Sequence, residues 1–143
     1  MNNPLNKITI KNLKAIFSQN EKILAVYLFG SQVQGFAKTN SDLDMAVFLT
    51  NRNEISNQKI LNFLMKKNIK IPYEIDLVCV DLSSPPLLLM QIVKNGFCIY
   101  KKSQNKKVDL EAKIMNIYFD NQHIRSIYKY YLDKSFKENT YGL

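Results

Sequence analysis

Apolar positions recur along this chain in two rhythms, and their order predicts helices interleaved with strands. Ile8, Leu13, Ile16 and Phe17 fall at helical spacing and predict a first helix over 7–19. Ile23-Leu24-Ala25-Val26-Tyr27-Leu28-Phe29 is an unbroken apolar run of strand length that ends at Gly30, the pattern of a buried strand. A turn or short helix over Ser31–Ala37 precedes a second strand, Leu43–Leu49, with Asp42 at its mouth. Ile55, Ile60, Leu61, Leu64 and Met65 make the apolar face of a helix over 54–67. Tyr73–Val80, rich in β-formers and following Pro72, predicts a third strand. Ser83-Ser84-Pro85-Pro86 then supplies a helix start, serine as cap and proline in the first turn. That helix runs through Leu87–Lys94 and stops at Asn95-Gly96, before a short strand at Phe97–Tyr100. The last helix, about 107–137, places Leu110, Ile114, Ile117, Tyr118, Ile124, Ile127, Tyr128, Tyr131 and Leu132 at three- and four-residue spacing.

No internal repeat, low-complexity tract or long linker divides the chain. One α/β or α+β domain over 1–143 is expected, with a core at about 5–100 and a C-terminal helical tail at about 105–137. A length of 143 residues fits that expectation and excludes a large multidomain enzyme. No apolar stretch reaches the ~18–20 residues of a membrane span. Met1-Asn2-Asn3-Pro4-Leu5-Asn6-Lys7 lacks the apolar core of a signal peptide, so a cytoplasmic location is expected. The two cysteines, Cys79 and Cys98, are far apart in apolar surroundings, and His123 is the one histidine. A zinc site or a histidine-based triad therefore has almost nothing to draw on, and any metal must be a hard cation held by carboxylates.

Charge changes the picture further. Twenty Lys and Arg against 12 Asp and Glu give +8, and the excess lies in segments 1–22, 51–70 and 101–143. Segments 23–50 and 71–100, the most strand-like, are net acidic. Acid on strands inside a basic protein suits a cation site for a polyanionic substrate.

The segment that carries chemistry is Phe29-Gly30-Ser31, ten residues, then Asp42-Leu43-Asp44. Alternate strand residues point the same way, so Asp42 and Asp44 share a face, where they repel unless a divalent cation sits between them. Asp76 lies in Glu74-Ile75-Asp76-Leu77-Val78, an otherwise apolar run where an unpartnered charge is costly. If the strands are neighbours, Asp76 completes a cluster of three carboxylates. Gly30 ends a buried strand where a missing side chain lets backbone approach a ligand. Ser31 begins a turn or helix whose first N–H groups favour phosphate. Together these parts suit in-line transfer at phosphorus. At average composition the full G-S-x10-D-x-D spacing arises by chance in roughly one chain of this length in several hundred.

Val26-Tyr27-Leu28-Phe29-Gly30-Ser31 with Ser41-Asp42-Leu43-Asp44-Met45-Ala46-Val47 resembles the signature of the DNA polymerase β-type nucleotidyltransferase superfamily. Glu74-Ile75-Asp76-Leu77-Val78, Pro85-Pro86-Leu87-Leu88, Ile92-Val93-Lys94-Asn95-Gly96 and Tyr118-Phe119-Asp120 are similar to its antitoxin branch, MntA. The resemblance implies a small mixed sheet flanked by helices, and a protein adenylyltransferase that transfers AMP from ATP to a tyrosine of a HEPN-fold RNase toxin. It implies Mg²⁺, two ions, on Asp42, Asp44 and Asp76, with Asp76 activating the tyrosine hydroxyl and Gly30 and Ser31 on the ATP phosphates. It also implies a hetero-oligomer with that toxin. Many relatives carry Arg directly after the serine, where this chain has Gln32; Lys38 is the nearest substitute cation.

Two other classes compete: a small-molecule nucleotidyltransferase of the aminoglycoside type, and a non-catalytic toxin-binding module. The short chain disfavours the first, and the three aspartates disfavour the second. His123 reads as a surface or packing residue. Of Tyr128, Tyr130 and Tyr131, two are expected to pack and the remainder to face a partner. Lys66-Lys67, Lys101-Lys102 and Lys106-Lys107 lack an aromatic-interleaved stripe, so they read as a solvated face, with no direct nucleic-acid binding.

Overall fold

The computed structural model describes residues 5–30, 42–50, 59–60, 62 and 74–139, with 122–125, 127–128 and 135–139 described by backbone alone. Helix α1 (Lys7–Phe17) starts where the Asn6 side chain accepts the Thr9 N–H at 2.8 Å. It ends two residues before the expected boundary. Ser18 turns its hydroxyl onto the Ala15 carbonyl, and the Gln19 and Asn20 N–H groups close tighter turns onto Ile16 and Phe17.

The apolar runs form strands β1 (Ile23–Phe29), β2 (Leu43–Leu49), β3 (Ile75–Val80) and β4 (Phe97–Lys101). They make one mixed sheet in the order β3-β2-β1-β4, with β1 antiparallel to β2 and β4 and β2 parallel to β3. The start of the expected third strand at Tyr73 lies outside the described residues, although the Glu74 carbonyl already accepts the Leu43 N–H at 2.7 Å. Most of the helix expected over 54–67 lies outside them too; Lys59, Ile60 and Asn62 are helical, and Ile60 is buried.

Strand alternation sorts the core into two layers. Val26, Leu28, Met45, Val47, Leu77, Cys79 and Ile99 meet Leu13, Ile16 and Phe17 of α1 and Ile60. Ala25, Tyr27, Ala46, Phe48 and Val80 point to the other face, where helices α2 (Pro86–Asn95) and α3 (Gln104–Asn139) cover them with Leu89, Ile92, Leu110 and Ile114. A sheet buried on both faces explains why β1 reads as continuously apolar rather than alternating.

Two helix starts differ from expectation for local reasons. No serine caps α2: its N-cap is Pro85, without a side-chain hydrogen bond. Ser84 is buried and accepts the Asp81 N–H, while Asp81 accepts from the Ser83 N–H and hydroxyl, so the serines build the preceding turn instead. Helix α3 begins three residues early because the Ser103 hydroxyl accepts the Lys106 N–H at 3.1 Å. At the end of α2, Gly96 leaves only 2.9 Å between the place of a Cβ and the Leu28 carbonyl, so a side chain would press α2 off β1.

Beyond Ile114, the described side chains of α3 are half-buried or exposed. Tyr130 and Tyr131 are both 62% exposed, which corrects the expectation that two of the three late tyrosines pack. The sheet is simply shorter than the helix: seven strand residues span about 23 Å, whereas the 36 residues of α3 span about 54 Å. Among the described residues no helix is long and apolar enough to cross a membrane.

The layering predicts unequal roles along α3. Ile114→Ala, at a position with no exposure, should destabilise by about 2–4 kcal/mol in urea unfolding. Phe119→Ala, at a 56% exposed position, should stay within about 0.5 kcal/mol despite removing more atoms.

Candidate functional site

Because β2 and β3 run parallel, both open at the same end of the sheet, and their register pairs Asp44 with Asp76. Phe29, the last residue of β1, pairs with Asp44 from the other side. Paired residues project to one face, so both carboxylates stand on the side of Ala46, Phe48 and Val80, at the rim of the layer under α2 and α3. Asp42 lies one alternation earlier and is exposed.

The Asp44 and Asp76 carboxyls lie within hydrogen-bonding reach of each other. Asp44 is half-buried and its pKa is raised, first by burial, then by the charge and hydrogen bond of Asp76 and by the charge of Asp42. Gly30 closes over this pair. It holds φ +85°, a left-handed conformation, and a Cβ there would collide with Asp44 Oδ2. The glycine expected to admit a ligand is thus also required by the carboxylate beneath it, a contact that strand spacing alone does not reveal. Ser31, its expected companion at the phosphates, lies outside the described residues, as do Gln32 and Lys38.

The donor chemistry fits a hard divalent cation. Two carboxyls are held close together and a third adds its charge to Asp44; a cation among them would offset that repulsion. Among the described residues no three ligating side chains already enclose an ion. The larger of the described cavities, about 410 Å³ and lined by Leu24, Leu49, Asp81 and Leu110 among others, lies at the opposite end of the strands and is not this site.

Residues 11–105 match the family model of polymerase beta nucleotidyltransferases. The chain belongs to that nucleotidyltransferase family. No curated protein sequence matches it. Among solved structures, a toxin–antitoxin with AMP-PNP contains a chain 26% identical, covering 89% of this chain and 98% of that one at a TM-score of 0.60. A mutant of the MntA-HepT toxin–antitoxin is also 26% identical, over 92% and 98%, at 0.59. A chain from the complex of a tri-AMPylated Shewanella oneidensis HEPN toxin with MNT antitoxin, 20% identical over 92% and 99% at 0.61, shares the fold.

One buried polar device of this nucleotidyltransferase escaped the sequence pattern. Tyr27, in the middle of the β1 apolar run, donates its hydroxyl to Glu111 Oε1 of α3 at 2.5 Å, and Glu111 pairs with Lys107 at 3.0 Å. Burial, then Glu111, pushes the phenol far above its ordinary range, so it stays a neutral donor that ties α3 to the sheet. The available signal was a lone hydroxyl in an otherwise apolar strand.

The carboxylate pair has a measurable cost. Because folding raises the Asp44 pKa, ionising it opposes folding, and stability is lost as pH rises from the ordinary carboxylate range through the raised value. Asp44→Asn should therefore raise Tm by a few degrees at pH 7 without divalent cations, with the gain fading toward about pH 3. Calorimetry across that range checks it; a gain independent of pH would refute the raised Asp44 pKa. Gly30→Ala, forced into a left-handed backbone against Asp44, should instead lower Tm by several degrees.

Proposed function

We propose that this chain is a Mg²⁺-dependent protein adenylyltransferase antitoxin, which transfers AMP from ATP to a tyrosine of a cognate HEPN-family RNase toxin and so neutralises it. The observation that carries the reading is the in-register Asp44–Asp76 pair beneath Gly30. Its specificity is supported by the 26% likeness, over nearly the whole of both chains, to a component of a toxin–antitoxin with AMP-PNP.

Asp42, Asp44 and Asp76 would hold the Mg²⁺ ions, which neutralise the triphosphate and activate oxygen nucleophiles when bound. Gly30, having no side chain, leaves its backbone open to phosphate oxygens, and Ser31 follows as a further donor. The toxin's tyrosine oxygen bonds to the α-phosphorus as the bond from that phosphorus to the bridging oxygen breaks. Pyrophosphate leaves with the electron pair, and the hydroxyl proton passes to Asp76, the most exposed partner in the pair. Asp44, half-buried between β1 and β3, is the positioning anchor. In this reading the toxin and this chain form a hetero-oligomer.

Incubation with the partner toxin, Mg²⁺ and ATP labelled at the α-phosphate should label the toxin, and ATP labelled at the γ-phosphate should not. Transfer of the γ-label would mean a kinase and overturn the reading. Asp42→Ala and Asp44→Ala should abolish transfer in folded protein; unaltered rates in both would refute the site. Asp76→Asn should lose turnover by orders of magnitude yet retain Mg-ATP, separating proton transfer from binding.

A further inference from the structure

We propose that the cavity at the free edge of β4 is a second anion site, distinct from the carboxylate end and built for a small phosphate-type anion of two or three charges. The cavity holds about 220 Å³ and is lined by Lys14, Cys98, Ile99, Tyr100, Lys101 and Lys107. Three elements supply its cations: α1 gives Lys14, β4 gives Lys101, and α3 gives Lys107. Among the described residues no carboxylate lines it; Glu111 pairs with Lys107 at 3.0 Å, and three lysines against that one carboxylate leave a net positive concavity. Lys101 Nζ is steadied by a hydrogen bond to the Gln104 side chain.

The Cys98 thiol reports how close these ammoniums come. Its Sγ donates to the Tyr100 carbonyl at 3.2 Å on the cavity wall. Burial raises its pKa overall; Lys107, the Tyr100 carbonyl contact and Lys101 offset part of that rise, and Glu111 adds to it. The ammonium groups of Lys107 and Lys101 thus act on this wall of the hollow, where a bound anion would meet the same positive charge.

An edge strand guarded by lysines against pairing with another sheet is the plain alternative. Such guards sit along the strand itself, whereas here two of the three come from helices on opposite faces of the sheet and meet in one hollow. A nucleic-acid groove would need a track with stacking rings, but Tyr100 is buried at 9% exposure and packs against Phe17. The shape therefore suits a small free anion.

Inorganic pyrophosphate, titrated calorimetrically into the full chain in Mg²⁺-free, low-salt buffer, should bind at one equivalent. Lys14→Ala combined with Lys101→Ala, both exposed positions, should weaken that binding at least tenfold with Tm unchanged within a few degrees. Saturating pyrophosphate should also slow iodoacetamide alkylation of Cys98 several-fold, read by peptide mass spectrometry. Asp44→Asn should bind the probe as tightly as the parent. The proposal is overturned by an absence of saturable binding, by equal affinity in the double variant, by loss in Asp44→Asn, or by an unprotected Cys98. A single-stranded oligonucleotide that outcompetes pyrophosphate, with affinity rising with its length, would overturn it in favour of a nucleic-acid contact.

Discussion

Two carboxyl groups brought together at the mouth of a parallel strand pair set the constraint on which this end of the molecule depends. Asp44 and Asp76 meet because β2 and β3 are parallel and in register; a slip of one residue would turn either side chain to the opposite layer. The crossover that makes the strands parallel is thus a requirement of the site. Antiparallel neighbours would open at opposite ends and leave the carboxylates apart. Gly30 answers the same constraint from β1, where a side chain would occupy the space that the Asp44 carboxylate needs.

The layers behind the pair make its electrostatic cost tolerable. Leu43, Met45, Val47 and Phe48 have no exposure, so β2 is fixed on both faces and cannot relax to separate the charges. Tyr27 adds a directional tie, because its hydroxyl has to find Glu111 or lose a buried hydrogen bond. That bond positions α3 on the same layer from which the carboxylates emerge. The strain is local, the support is spread through the core, and a cation can relieve the first without disturbing the second.

Strand boundaries were legible because a two-sided core writes its strands as continuous apolar runs, and Ile23–Phe29 and Leu43–Leu49 match them at both ends. The spacing of Asp42 and Asp44 was legible because alternation is a geometric property of one strand. Partnership between Asp44 and Asp76 was only conditional in the sequence, since nothing local states which strands are neighbours. Helix ends were read less well. Ser18, Ser84 and Ser103 all hydrogen-bond to backbone, but one ends a helix, one builds a turn and one caps, and only tertiary context decides among these. The Gly30 contact with Asp44 was invisible because it is an absence of atoms, felt across two strands.

Helix α3 shows where periodicity misleads. Leu110 and Ile114 continue as Ile117, Tyr118 and Leu132 at core-like spacing, yet burial falls from complete to 43% exposure at Leu132. Spacing reports that a stripe exists; whether anything covers it depends on the length of the sheet, which ends first. Met115, Phe119 and Tyr130 lie on a different side of the helix, 11 residues separating Phe119 from Tyr130 by close to three turns, so the distal helix is apolar on more than one side. A 3.6-residue period therefore identifies the buried part only over the first turns, where a sheet lies beneath it. Beyond them, retained apolar side chains follow from something other than this core.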